Sequence, residues 1–302
     1  NLTNFRTNLF LMPNYILKDN NISFNDIYNI IKQDLTLTLD KSVIEKINNS
    51  RKFLENKIAN TDNQYYGINT GFGDLHNVKI NNDDLSELQS NLIKSHACGT
   101  GSRVSNEIVK LMILLKIISL SKGYSGIRLQ IVERLVFLYN NDILPIVYKY
   151  GSLGASGDLS PLSHMSLPLI GLGEVEFKNE IYHTENILKK FKIEKIKLES
   201  KEGLALINGT QYMLASIIDS TIHSMKLSFL ADKISSVSLD AFNCALDPFN
   251  HLVSKIRPYE GQVNVSQIIL KYLKGGEIND LEKEGVQDPY SFRCIPQVHG
   301  AT

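Results

Sequence analysis

A mainly α-helical fold is predicted by three observations on the sequence. Apolar residues recur at helical spacing over several long segments, strand-like alternation is rare and brief, and glycine-rich stretches separate the helical ones. A chain of 302 residues can bury a substantial core as one large domain or two ordinary ones. Its hydrophobic fraction of 43% is ordinary for a globular protein. Lys plus Arg equals Asp plus Glu at 32 each, so the chain lacks the basic excess of nucleic-acid-binding proteins, and no nucleic-acid partner is expected. Near-neutrality gives little colloidal repulsion and suits a chain that associates. Cys98, Cys244 and Cys294 are odd in number and far apart, which is neither a disulfide framework nor a metal-ligand cluster. Reduced thiols and a cytoplasmic location are expected, with no metal.

The elements follow in chain order. The N-terminal stretch NLTNFRTNLFLMPNYILKD is too short and interrupted for a signal peptide or membrane span. Asn1, Asn21 and Asn264 begin chance-level glycosylation patterns. Ser23 followed by Phe24, Ile27, Ile30 and Ile31 predicts a capped amphipathic helix over 23–32. DLTLTLD at 34–40 alternates as a short strand, and 41–59 is helical again. Residues 61–77, TDNQYYGINTGFGDLHN, have no helical period and read as a loop. Helices are predicted over 84–97, 104–121 and 127–140, the second apolar on several faces despite Lys116. Pro145 and the glycines at 151, 154 and 157 mark 144–158 as a loop, with a helix beginning near Ser160-Pro161. EVEFKNEIYH at 174–183 reads as a hairpin, and Lys190 to Lys197 as a solvated stretch. A long helix over 210–240 and a last one over 263–274 complete the pattern, and no internal repeat is evident. Long apolar helices of this kind belong inside a large body or an oligomeric bundle.

GSLGASGDLSPLSHM at 151–165 is the most informative segment. On its residues alone it is a flexible loop before a helix capped by Asp158 or Ser160. A phosphate loop is the other reading, though the lysine of GxxxxGK[ST] is missing.

This segment resembles the signature of the aromatic amino acid ammonia-lyases and aminomutases. YYGINTGFGDL (65–75), NLIKSHACGTG (91–101), GYSGIR (123–128), KEGLALINGTQ (201–211), RPYEGQ (257–262) and VQDPYSFRCIPQVHGA (286–301) resemble further blocks of that family, in family order. The resemblance implies the fumarase/aspartase-like ammonia-lyase type of long-helix bundle, with a smaller N-terminal part of loops and a few short strands. Residues 1–200 would hold the lid loop and the electrophile loop, and 201–302 would begin the central helical bundle. The C-terminal remainder of the family domain would lie beyond. It also implies that Ala155, Ser156 and Gly157 cyclise and lose water to give 4-methylidene-imidazol-5-one (MIO). That chemistry suits the residue types: glycine offers an unhindered amide nitrogen, Ala155 the carbonyl carbon, and serine a hydroxyl that leaves a methylidene.

The same resemblance assigns roles one residue at a time. Tyr66 would be the lid tyrosine, a general base or acid; an ordinary phenol is a poor base unless neighbours lower its pKa. Tyr290 would be a second active-site tyrosine contributed across a subunit interface, and Gln287 would position substrate and ring. Arg293 would grip the substrate carboxylate in a two-point fork. Asn208 would lie beside the electrophile, and Asp158 would shape the loop and support ring formation. His96 falls where the family discriminates aromatic side chains and resembles the histidine- and tyrosine-specific branches, while Gln211 and the SHA context resemble the histidine enzymes more than the plant-type phenylalanine ones. An imidazole exchanges a hydrogen bond with another imidazole or a phenol, but finds no partner in a phenyl ring; the unpaired group should cost about 1–3 kcal/mol.

The implied reaction is loss of ammonia from a free L-amino acid, foremost L-histidine to trans-urocanate, by a homotetramer with shared active sites and no diffusible cofactor or membrane partner. Tyrosine ammonia-lyase or aminomutase activity is the sister reading. Addition through the amine or through the substrate ring is left open, as is which tyrosine is the base. A non-enzymatic helical assembly protein is the rival class, opposed by the joint presence of Tyr66, Ser156, Asn208, Tyr290 and Arg293. Tyr148-Lys149, Ile118 and Tyr259 depart from the family pattern.

Overall fold

The computed structural model describes residues 13–60, 63–81 and 84–302. Most of the N-terminal apolar stretch, with Asn1, and the first two residues of the 61–77 loop lie outside these. The architecture is mainly α-helical, as the sequence predicts, and falls into two compact units dividing between Asp219 and Ser220.

The first unit opens with β1 (Asn14–Leu17), which pairs in parallel with β2 (Thr36–Leu39) across α1 (Phe24–Lys32). Ser23 and Asp26 form a reciprocal capping box at the start of α1. There follow α2 (Lys41–Ala59), α3 (Leu85–His96), β3 (Thr100–Arg103), α4 (Asn106–Ser121) and α5 (Leu129–Asn140). Helix α4 is apolar nearly all round and accordingly buried on nearly every face, against α2, α5 and β4 (Leu144–Pro145). The segment 144–158 is not wholly the loop its glycines suggest. It contains β4 and β5 (Tyr148–Tyr150), because Pro145 occupies a two-residue strand and β5 finds a distant antiparallel partner in β3. The predicted hairpin is β6 (Glu174–Phe177) and β7 (Glu180–His183), joined to β4 in a three-stranded sheet. The unit continues with α6 (Leu159–Ser166), α7 (Thr184–Phe191), the short α8 (Glu202–Ile207) and the first turns of α9 (Gln211–Ala241).

The entry of α8 is fixed by a buried ionic brace. Glu202 has no exposed surface and accepts hydrogen bonds from Arg128 Nε (2.8 Å), Arg128 Nη2 (2.7 Å) and the backbone N–H groups of Arg128 and Glu199. Arg51 closes the brace by donating to the carbonyls of Gly126 and Ser200. Breaking a buried pair leaves an uncompensated charge, which costs about 3–5 kcal/mol. Glu202→Ala is therefore expected to lower stability by that amount, read as a shift of the urea midpoint; an unchanged midpoint would show the brace to be dispensable.

The second unit packs Leu239, Phe249, Ile269, Leu273 and Ile295 into its own core. It comprises the rest of α9, α10 (His251–Ile256), α11 (Glu260–Leu273), α12 (Tyr290–Arg293) and α13 (Ile295–Ala301). Along α9, Met225, Leu227, Phe229, Leu230, Ile234 and Val237 are exposed. No helix among the described residues is long and apolar enough to cross a membrane.

Candidate active site

In the first unit, the glycine-rich loop meets the Asn208-Gly209 turn and the start of α9, and its root lies against Gly99. Ala155 and Ser156 are exposed at its tip, whereas Asp158 has no exposed surface at all. Gly157 has φ +99°, a conformation that a side chain disfavours; a Cβ there would overlap the Gly209 carbonyl oxygen and stand 3.0 Å from its carbon. The next residue donates its N–H to that same oxygen at 2.7 Å. The loop thus lies flat against the Asn208-Gly209 turn, a fit open only to glycine at 157.

Asp158 occupies the N-cap position of α6, as expected, but its side chain caps a different helix. Its carbonyl accepts from Leu162 N (3.0 Å), yet its carboxylate makes no cap bond to α6, and Ser160 Oγ is buried without a partner among the described residues. Instead the Asp158 carboxylate accepts from Met213 N (2.9 Å) in the first turn of α9, and from Ser152 Oγ (3.4 Å). A carboxylate at that end of α9 satisfies an unpaired N–H and meets the positive pole of the helix. Asn208 is exposed at the C-terminus of α8, three residues before α9 begins at Gln211.

Tyr66 stands 57% exposed on its loop, its ring edge-on to Phe72 with centroids 6.0 Å apart. The base of that loop is held firmly. Asn69 accepts from Tyr65 N and donates to Asn63 O, while Ser200 Oγ donates to Ile68 O at 2.7 Å. Gly67 (φ +66°) presses so closely on Leu204 that a Cβ would come within 2.5 Å of it. Gln89, fully buried on α3, accepts from Leu204 N (3.2 Å) and donates to Gly67 O (3.4 Å), linking the Tyr66 loop to α8. Sequence reasoning missed Gln89; its one visible signal is a polar residue on the apolar face of a helix.

His96 ends α3, half-buried. Its Nδ1 lies 2.9 Å from Leu92 O and 3.1 Å from Ser95 Oγ; in the neutral ring, donation to that carbonyl assigns the proton to Nδ1 and leaves Nε2 as the acceptor. Three residues on, Gly99 N donates to Nε2 of His164 at 2.9 Å; burial lowers the pKa of this histidine and favours its neutral form. That bond and the β3–β5 pairing tie the His96 segment to the root of the glycine-rich loop. Gln211 opens α9, buried, with Oε1 unpartnered among the described residues.

The remaining predicted residues belong to the second unit. The Arg293 guanidinium stacks over the Tyr290 ring, 4.0 Å from its centroid, and Arg293 Nε is buried with no hydrogen-bond partner among the described residues. Tyr290 itself is 71% exposed, and Gln287 is exposed in the turn before α12. Asp288 anchors that turn by accepting from Ala245 N at 2.7 Å. Among the described residues no cluster of three or more His, Cys, Asp or Glu side chains could hold a metal ion.

Comparison with known proteins places this geometry. Residues 22–302 match the family profile of the aromatic amino acid lyases. Histidine ammonia-lyase 2 of Fusobacterium nucleatum is 42% identical over 287 residues, covering 95% of this chain and 56% of that protein, so the chain spans a little over half of the relative's length. The crystal structure of histidine ammonia-lyase from Trypanosoma cruzi superposes with a TM-score of 0.81 at 32% identity, over 95% of this chain and 53% of that one. Pantoea agglomerans phenylalanine aminomutase superposes at 0.86 with 28% identity, over 95% and 59%. With its profile matched from residue 22 to residue 302, the chain belongs to the aromatic amino acid lyase family.

Proposed function

We propose that the protein deaminates L-histidine non-oxidatively, giving trans-urocanate and ammonia, through an MIO electrophile made from Ala155, Ser156 and Gly157. The observation that carries this reading is the seating of Gly157 against the Gly209 backbone, with Asp158 locked onto the start of α9. Such a loop is bent back on itself at a residue without a side chain, as attack by Gly157 N on the Ala155 carbonyl carbon requires. Ring closure expels the Ala155 oxygen as one water; loss of the Ser156 hydroxyl with its α-proton expels a second and leaves the methylidene. The residues present therefore fit the group.

Once formed, the ring supplies an electron-poor carbon that turns the substrate amine into a better leaving group. Everything else falls to the side chains. Arg293, unengaged at Nε, takes the substrate carboxylate in a charge-assisted fork. Tyr66 removes a β-proton while the Cα–N bond breaks and the α,β double bond forms, and nitrogen leaves with the bonding electrons. Asn208 orients the amine beside the loop, Asp158 preserves the bend, and Tyr290 and Gln287 complete the site, Tyr290 from a neighbouring subunit of a homotetramer. His96 Nε2 is free to accept a hydrogen bond from the substrate imidazole, which favours histidine over phenylalanine. Two relatives at 42% identity, both named histidine ammonia-lyases, support the same substrate.

Two measurements test the proposal together. The intact protein should weigh two waters less than its sequence, Ser156→Ala should abolish that deficit, and L-histidine should yield urocanate absorbance that L-phenylalanine does not match with cinnamate. An unmodified mass would sink the electrophile, whereas a full deficit with turnover of tyrosine alone would reassign the substrate.

A further inference from the structure

Lys116 is a side chain the mechanism above does not use. It lies in the middle of α4 among Leu115, Ile117 and other apolar neighbours, and only 1% of it is exposed. An ammonium is costly to place there, and burial pulls its pKa down to about 7 against the opposing pull of the Asp158 carboxylate. A methionine would fill the same space without that cost. The group must therefore be doing something that an apolar side chain cannot.

Its two contacts show what. Lys116 Nζ donates to Ala205 O (3.2 Å) and reaches Asn208 O at 3.5 Å. Both carbonyls belong to the last turn of α8, where they have no helical partner and where a cation is favoured. Asn208 then leaves the helix in an extended conformation, and Gly209 follows with the oxygen that receives Asp158 N and faces Gly157. The Asn208-Gly209 turn is consequently held at both ends by buried polar residues. Lys116 fixes the carbonyls on its α8 side, and Asp158 fixes Gly209 and Met213 on its α9 side.

We propose that Lys116 is a positioning residue for formation of the electrophile: by holding the end of α8, it sets the Gly209 backbone against which the Ala155-Ser156-Gly157 loop must bend to close. It touches neither the reacting atoms nor the substrate. This inference rests on the MIO reading of the site.

The test separates the two. Lys116→Met should leave the protein folded, with helical circular dichroism and a melting temperature at or above that of the wild type, since a buried cation has gone. Cyclisation should slow by about a hundredfold, the scale on which ångström misplacement of reacting groups acts. The purified variant would then carry the two-water deficit in a minority of chains, with KM for histidine unchanged in the mature fraction. Lys116→Arg, which restores a buried cationic donor, should recover the deficit in most chains. A folded Lys116→Met protein with the full deficit would overturn the assignment while leaving the electrophile intact. A wild type with no deficit would remove the MIO reading and this inference with it. Should the methionine variant fail to fold, Lys116→Gln, one atom shorter and uncharged, should show the same loss of deficit. A fully matured glutamine variant, or one that also fails to fold, would make Lys116 a core residue and nothing more.

Discussion

Replacing Gly157 by alanine is expected to abolish the two-water mass deficit and to lower kcat for histidine by at least about a thousandfold, roughly 4 kcal/mol of transition-state stabilisation. One methyl group does this through two effects that act together. At φ +99° an L-residue is strained, and its Cβ would overlap the Gly209 carbonyl oxygen. Relief would draw the loop away from Gly209 and break the 2.7 Å bond from Asp158 N to that oxygen. The bend on which the proposed attack of Gly157 N on the Ala155 carbonyl depends would then be lost. The helices should persist, because the loop tip is exposed and the hydrophobic cores lie elsewhere. Intact mass and circular dichroism on one sample check both halves, and a Gly157→Ala protein with the full deficit would contradict the seating described above.

Tyr66→Phe should behave oppositely. The mass deficit should be complete, KM should change by no more than a few-fold, and kcat should fall by about 10²–10⁴, the usual contribution of a positioned proton-transfer group. The ring keeps its edge-on contact with Phe72, and the loop beneath is held by Asn69, Ser200 and Gln89 rather than by the phenol. Only the hydroxyl is removed. Tyr290→Phe is the necessary comparison. If that variant lost the larger share of kcat while Tyr66→Phe ran near the wild-type rate, the base would be Tyr290.

Much of the fold was legible because its signals are local. Apolar spacing marked α2, α4 and α9, an alternating run marked β2, and Ser23 marked the start of α1. What escaped depends on partners distant in the chain. Strand β3 reads TGSR, exposed throughout and without alternation, and exists because Thr100 and Arg103 meet Tyr150 and Tyr148. Helix α8 has six residues, too few to display a period, and is secured at Glu202 by Arg128. The glycine-rich loop was recognisable as a segment, yet the partner of Asp158 was not. Local rules send an aspartate before a helix to that helix, whereas this one reaches Met213, 55 residues on. Lys116 was visible only as an interruption of an apolar run, and its carbonyl partners are about ninety residues away.

That long reach of Asp158 also bears on when the protein becomes reactive. Residues 155–158 and 209–213 meet only when α8 and the start of α9 have docked, so on the proposed electrophile chemistry an unfolded chain would hold an ordinary Ala-Ser-Gly peptide. Chemical maturation would then work as a checkpoint on tertiary assembly. On the proposed reading, an electrophile able to react with thiols and amines around it would be armed only inside a finished fold, and the two-water deficit would report the chains that have reached it.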